Sequence, residues 1–205
     1  MPLTQYYTAT TLDGFIADPD NSLQWLFDVP RAEEGSRAWD DFIGDVGAMA
    51  MGATTYEWVL DHERLLENPQ RWQEFYDDRP CWVFTHRDLP VLPGVDIRFV
   101  RDDVSPVHRE MVAAAGERNV WLVGGGELVG QFHDRGLLDQ VIAGIAPVTL
   151  GAGAPLLPRR IEGMRLVDVR PDGQMVSLTY DVRGRAADGA TPAPGAGAAP
   201  RAAPP

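Results

Sequence analysis

The chain has one cysteine, Cys81, among its 205 residues. It can therefore close no intrachain disulfide, and it cannot by itself build a zinc site that needs several cysteines. That usage fits a reducing compartment. Nowhere does the sequence hold the roughly 18 consecutive apolar residues of a membrane span, and Met1 to Tyr6 shows no basic region followed by an apolar stretch. A soluble, cytoplasmic protein with no membrane partner is the expectation. Basic charge is scarce as well, with 18 Lys and Arg against 30 Asp and Glu for a net charge of -12. Such a surface repels phosphate backbones, which argues against nucleic acid as a partner. A small anion is a different matter, because a few backbone N–H groups and one or two arginines suffice to hold it. His62, His108 and His133 show no metal-ligand spacing and read as surface residues, so no metal is expected.

With 44% hydrophobic residues, the chain can enclose one sizeable core. From Gly184 to Pro205 it is Ala, Gly and Pro apart from Arg185, Asp188, Thr191 and Arg201. Such a segment cannot bury enough side chain to offset its ordering entropy. The sequence thus predicts one domain over 1–183 and a disordered tail over 184–205.

Eight short segments rich in β-branched or aromatic residues read as strands: Thr4–Thr10, Ala48–Met51, Cys81–Thr85, Ile97–Val100, Val120–Val123, Gln140–Ala146, Met164–Arg170 and Met175–Asp181. Helices are predicted over Ala32–Val46, Thr55–Leu60, Pro69–Tyr76, Ser105–Ala115 and Glu127–Arg135. Ser105 is the expected N-cap of the fourth, with Pro106 at its first position and Gly116 as its stop. Strands alternating with helices imply a parallel sheet, and Pro171-Asp172-Gly173 between the last two strands implies an antiparallel hairpin. The expected class is α/β: a mixed, mainly parallel sheet of about eight strands flanked by helices.

The clearest local signal for chemistry is Val123-Gly124-Gly125-Gly126-Glu127-Leu128, a strand that runs through three glycines into a helix. Glycines let backbone N–H groups approach a diphosphate closely, and the helix N-terminus adds partial positive charge. Tight packing alone also selects such turns. The segment lacks the G-x-G-x-x-G spacing of the dinucleotide fingerprint, because Val129 stands at its last glycine position. A second strand-to-helix junction, Gly52-Ala53-Thr54-Thr55, offers N–H groups and hydroxyls suited to phosphate, or simply a capped helix. In the third, Thr85-His86-Arg87, the guanidinium can hold a phosphate by charge-assisted bonds, or is simply solvated surface at a strand end.

In this order, and together with Leu12-Asp13-Gly14-Phe15-Ile16-Ala17, these junctions resemble the dihydrofolate reductase superfamily. The resemblance is strongest to the branch that contains the reductase domain of bacterial riboflavin biosynthesis, the RibD C-terminal type. It covers residues 4–181 and includes Met51-Gly52-x-x-Thr55-Tyr56-Glu57 and Pro147-Val148-Thr149-Leu150-Gly151-Ala152-Gly153. The resemblance implies a three-layer fold and a reductase that binds NADPH across the C-terminal ends of its strands. Ala9 and Ile16 would then meet the nicotinamide. Gly52, Ala53, Thr54, Thr55, Val123, Gly124, Gly125, Gly126, Glu127 and Leu128 would hold the pyrophosphate, with Thr85, His86 and Arg87 around the adenosine ribose. Many folate reductases carry a phosphate-gripping arginine where this chain has Ala53. NADPH is still expected ahead of NADH, with Arg87 and His86 taking that arginine's place.

Reduction of a C=N bond also needs a proton for the nitrogen. In the folate enzymes an acid on the first helix assists, which directs attention to Glu33, Glu34, Asp40 and Asp41. Glu34 and Asp40 are carried forward as catalytic candidates, with Asp13, which lies beside the nicotinamide in this branch or simply forms an Asp-Gly turn. Trp25 would line the substrate pocket or pack in the core. The Pro-Cys-x-x-Cys of a zinc deaminase cannot occur in a chain with one cysteine, so a stand-alone reductase of a pterin-, pyrimidine- or imine-like substrate is expected. A true dihydrofolate reductase and a nucleotide-binding protein without turnover are the alternatives. Members of this branch form homodimers through their sheets, and a homodimer is expected here.

Overall fold

The computed structural model describes residues 2–30 and 33–182, with the side chains of 33–38 outside the description. In chain order the elements are β1 (Thr4–Thr11), β2 (Phe15–Ala17), α1 (Gln24–Phe27), α2 (Glu33–Gly44), β3 (Val46–Gly52), α3 (Ala53–His62), α4 (Arg71–Tyr76) and β4 (Cys81–Phe84). They continue with β5 (Ile97–Val100), α5 (Val104–Ala115), β6 (Asn119–Gly124), α6 (Gly126–Asp134), β7 (Gln140–Ala146), β8 (Ala154–Pro155), β9 (Arg165–Asp172) and β10 (Met175–Asp181). The tail predicted over 184–205 lies outside the described residues.

Eight strands form one sheet in the order β5-β4-β3-β6-β1-β7-β10-β9. The run from β5 to β7 is parallel, and β10 and β9 close the sheet antiparallel. β3, in the middle, is buried along almost its whole length, as a parallel strand covered on both faces must be. Side chains alternate between the two faces, and each face has its own core. On one, Tyr6, Ala48, Trp82 and Leu122 pack against Val107 and Met111 of α5 and Leu128 and Phe132 of α6. On the other, Met49, Met51, Val83 and Trp121 pack against Tyr56 and Val59 of α3, Trp72 of α4, and Trp39 and Phe42 of α2. The result is the expected three-layer α/β architecture.

The buried Arg79 fastens the second helical layer to the sheet. Its guanidinium donates to the carbonyls of Val46 (2.8 Å), Ile43 (2.7 Å) and Tyr76 (3.0 Å), joining the ends of α2, α4 and the start of β3.

Several local expectations are corrected. The N-cap of α5 is Asp103, whose carboxylate accepts the Ser105 N–H at 2.9 Å, so Ser105 already lies inside the helix. Gly116 does end that helix, at φ 65°. The helix predicted to run to Val46 stops at Gly44, because Val46 opens the buried strand β3. Two short strands, β2 and β8, pair antiparallel in a separate ribbon that periodicity did not indicate. Of the three histidines read as surface residues, His108 and His133 are half-buried, and His108 Nε2 lies 2.7 Å from Thr4 Oγ1.

Candidate functional site

β3 and β6 are neighbours in the sheet, and each passes directly into a helix at its C-terminal end. The N-caps of those helices, Gly52 (φ -81°, ψ 165°) and Gly125 (φ -86°, ψ 179°), are both extended and make no side-chain cap bond. The first-turn N–H groups of a helix have no partner within it. Here those of Ala53, Thr54 and Thr55 and those of Gly126, Glu127 and Leu128 belong to residues lining one cavity of about 750 Å³. Two helix N-termini thus converge on the same space, and their partial positive charges add there.

The glycines of the second junction differ in what they require. Gly124 sits at φ 142°, a conformation side chains rarely adopt, and its peptide with Gly125 is cis. A Cβ on Gly126 would lie 2.4 Å from the Leu156 carbonyl oxygen and 2.5 Å from that of Pro155. Gly126 is therefore a packing position, pressed against the chain leaving β8. Cβ atoms built on Gly52 and Gly125 meet nothing closer than 3.8 and 3.7 Å, so the backbone there stays open to the cavity.

Beyond Gly52, Ala53 and Leu128 the space continues into a second hollow of about 370 Å³, walled by Thr85, His86, Arg87, Arg101, Asp102 and Gln131 among others. The buried Thr85 hydroxyl accepts the Arg87 N–H at 2.9 Å and shapes this corner. Arg87 pairs with Glu57 at 2.8 Å and Arg101 with Asp88 at 2.9 Å, and both guanidinium groups are more than half exposed. Sequence reasoning missed Arg101 because nothing in Val100-Arg101-Asp102 marks it off from ordinary surface.

At the other end Ala9 and Ile16 line the large cavity, and the wall beyond them is aromatic, with Tyr7, Trp39, Trp58, Tyr76 and Trp121. Trp121 stands edge-on to Trp39 at 5.3 Å between ring centres and donates its Nε1–H to the Tyr7 carbonyl at 3.1 Å. These rings come from five elements, and no linear motif joins them. Trp25 is not among them. It is buried against Val29, Ala146 and Met175, while its neighbours Leu23 and Leu26 face the cavity. Within a single helical turn, residues that flank a core position point elsewhere.

Among the described residues, the acids named from sequence do not line this wall. Asp40 is exposed on α2 and does not line the cavity, and the Glu34 side chain lies outside the described residues. Asp13 is engaged in its own loop: its carboxylate accepts the Thr11 hydroxyl at 2.5 Å and the N–H groups of Gly151 at 2.7 Å and Leu150 at 3.0 Å. The Thr11 bond, and then those amides, hold its pKa below the ordinary value. The carboxylates on the described wall belong to Glu127 and Asp172. Glu127 is locked to Arg159, and Asp172 ends β9, directly before the two-residue turn Gly173-Gln174. Sequence reasoning placed Asp172 in the turn and gave it no chemistry.

Residues 58–178 match the model of the RibD C-terminal domain. The chain is 31% identical over 179 residues to YwjB, an uncharacterized protein of Bacillus subtilis (strain 168), covering 86% of this chain and 96% of that one. Its fold superposes with TM-score 0.69 and 21% identity on a protein of Shewanella sp. PV-4 assigned to riboflavin biosynthesis, covering 88% and 99% of the two chains. A Thermotoga maritima diaminohydroxyphosphoribosylaminopyrimidine deaminase/5-amino-6-(5-phosphoribosylamino)uracil reductase superposes with TM-score 0.60 and 18% identity, and this chain spans 57% of its length. In sequence and in fold, with its sheet order and paired strand-to-helix junctions, the chain belongs to the RibD C-terminal domain family, a branch of the dihydrofolate reductase-like superfamily.

Proposed function

We propose that the protein is an NADPH-dependent reductase that transfers hydride to a C=N bond of a flat heterocycle of pterin or pyrimidine type. The observation that carries this reading is the convergence of the α3 and α6 N-termini on one cavity that opens, past Gly52 and Leu128, into the corner of Thr85, His86 and Arg87. The dinucleotide fits these residues. Open backbone at Gly52 and Gly125 accommodates the pyrophosphate, the helix N-termini oppose its charge, and Arg87, Arg101 and His86 supply donors for a ribose 2′-phosphate. Arg101 joins Arg87 in the role that an arginine at position 53 would otherwise fill. When bound, the cofactor supplies the hydride.

The chain itself orients and encloses. Tyr7, Trp39 and Trp121 form aromatic surfaces against which a planar ring stacks, and they exclude water from the reacting face. The Asp172 carboxylate accepts N–H groups from the ring edge and stands in the path of the proton that reaches the nitrogen. It takes the role that sequence reasoning sought on α2. We further propose that two copies associate through the β9–β10 end of the sheet, where Leu166, Val167 and Val169 are 49%, 46% and 50% exposed. Nucleic acid is no partner of so acidic a chain.

Fluorescence titration tests the cofactor reading, because Trp39, Trp58 and Trp121 line the cavity. NADPH is expected to quench their emission saturably, and more tightly than NADH. A chain that binds neither dinucleotide is not a reductase of this kind.

A further inference from the structure

Helix α6 carries an acidic residue, Glu127, in its first turn, where the anion of a bound dinucleotide would lie. A carboxylate at that place opposes a diphosphate, against the attraction of the helix N-terminus. The structure offsets it with Arg159. Glu127, Gly130 and Asp134 occupy positions i, i+3 and i+7 of α6 and form one stripe along its surface. The Arg159 guanidinium lies along that stripe, donating to Glu127 at 2.7 and 3.0 Å and to Asp134 at 2.9 Å. Gly130 leaves room for it, since a Cβ there would be 2.8 Å from Arg159 Cζ. The side chain of Arg159 is 23% exposed, so this is a seated group with its geometry fixed from three sides. Its hydrogen bonds are also the leading cause holding the Glu127 carboxyl below its ordinary pKa and keeping it charged.

Resting on the cofactor reading above, we propose that Arg159 is a positioning residue for dinucleotide binding, which acts by neutralising Glu127 beside the pyrophosphate site. The same ion pair ties the segment that follows β8 to α6. That segment carries Pro158 on the cavity wall beside Pro155 of β8, and the Pro155 and Leu156 carbonyls press on Gly126. A charge role and a bracing role make different predictions. If Arg159 acts by charge, removing the negative partner repairs the loss of the positive one. If it only braces the wall, it does not.

The experiment is fluorescence titration of the full chain with NADPH at low and at high salt, using Arg159→Met, Arg159→Lys, Glu127→Gln and the Arg159→Met/Glu127→Gln double variant. Uncovering one carboxylate near a bound anion is expected to weaken NADPH binding of Arg159→Met about tenfold at low salt, and less at high salt. Arg159→Lys, which keeps the charge and loses the bidentate bond, is expected to stay within about threefold of the parent. The double variant is expected to recover to within about twofold of Glu127→Gln. Unchanged affinity in Arg159→Met overturns the proposal. So does a double variant as weak as Arg159→Met, or an Arg159→Lys as weak as Arg159→Met if the double variant fails to fold. Absence of NADPH binding by the unmodified chain overturns the cofactor reading and this proposal together. Binding without rescue overturns this proposal alone.

Discussion

The Asp13 carboxylate accepts the backbone N–H of Gly151 at 2.7 Å, which pins the turn after β1 to the loop after β7 across 138 positions of sequence. Its other bonds run to Thr11 and to the Leu150 N–H, so both oxygens are used within the two loops. Asp13 thus serves the geometry of the β1–β2 turn, which brings Ile16 to the cavity wall.

Acid should release this clamp. Hydrogen bonds from Thr11, Gly151 and Leu150 hold the Asp13 pKa below its ordinary 3.8. A group with a depressed folded pKa contributes stability that is fully present above its unfolded pKa and is lost as pH falls through the folded value. Asp13→Asn should therefore melt at a lower temperature than the parent at neutral pH. The gap should close as pH drops below the ordinary carboxylate range. Thermal melts followed by circular dichroism across that range check it, and a gap independent of pH would show that Asp13 contributes nothing through its charge.

The junctions proposed to hold a cofactor could be picked out from sequence because each of them is contiguous. Gly52 to Thr55, Thr85 to Arg87 and Gly124 to Leu128 each sit on one strand-to-helix or strand-to-loop junction, so residue type and position could be read together. The aromatic wall proposed for the substrate has no such unit. Tyr7, Trp39, Tyr76, Trp121 and Asp172 meet only because β1, α2, α4, β6 and the last hairpin are brought together by the sheet order. The place of Trp25 before α2 left pocket and core both open, and its burial against Met175 and Ala146 puts it in the core. β2 and β8, of 3 and 2 residues, are too short for a period-two pattern to register.

Gly126 and Gly125 should respond differently to the same added methyl group. Gly126→Ala drives a Cβ into the Pro155 and Leu156 carbonyls and should cost about 1–3 kcal/mol of stability, read as a lowered midpoint in urea. Gly125→Ala meets only Ile16 Cδ1 at 3.7 Å, so the fold should survive. Its methyl group enters the cavity, and dinucleotide binding should weaken while the unfolding midpoint stays near that of the parent. Equal midpoints for the two variants would contradict the close approach at Gly126.

Cofactor choice should depend on Arg87 and Arg101 together. Each is exposed and already paired, with Glu57 and Asp88 respectively, so either alone should matter little more than an ordinary surface ion pair. Replacing both by alanine removes the guanidinium groups around a 2′-phosphate and should cost about tenfold or more in NADPH affinity, with NADH affinity nearly unchanged. Parallel titrations with the two cofactors measure the ratio. Equal losses for both would place the phosphate elsewhere.

Self-association should depend on the exposed apolar residues of β9. An apolar strand at a sheet edge needs cover, and a second copy supplies it with two-fold symmetry. The parent is expected to sediment as a dimer, and Val169→Glu, which puts charge on a residue 50% exposed, as a monomer. Sedimentation of the parent as a monomer would leave β9 without the partner proposed for it.

Asp172 should separate chemistry from cofactor binding. It lies on the hairpin whose partner strand carries Met175 and Ser177 along the same cavity wall, and Ser177 pairs with Gly144 of β7, which in turn pairs with Ala9 of β1. Met175, two positions along β10 from Ser177, pairs with Asp172, so this end of the wall links the expected nicotinamide contact to the acid and avoids the junctions that would hold the pyrophosphate. Asp172→Asn keeps the size of the side chain and removes its ability to carry a proton. NADPH affinity should remain within about twofold, because no phosphate contact is touched. Hydride transfer to a pterin or pyrimidine acceptor, followed as loss of NADPH absorbance, should slow by about 100-fold or more, the range of a lost general acid or base. Asp40→Asn, on the exposed face of α2, should leave the rate near that of the parent. If instead Asp40→Asn slows the reaction and Asp172→Asn does not, the acid acts from the first long helix and the hairpin only shapes the wall.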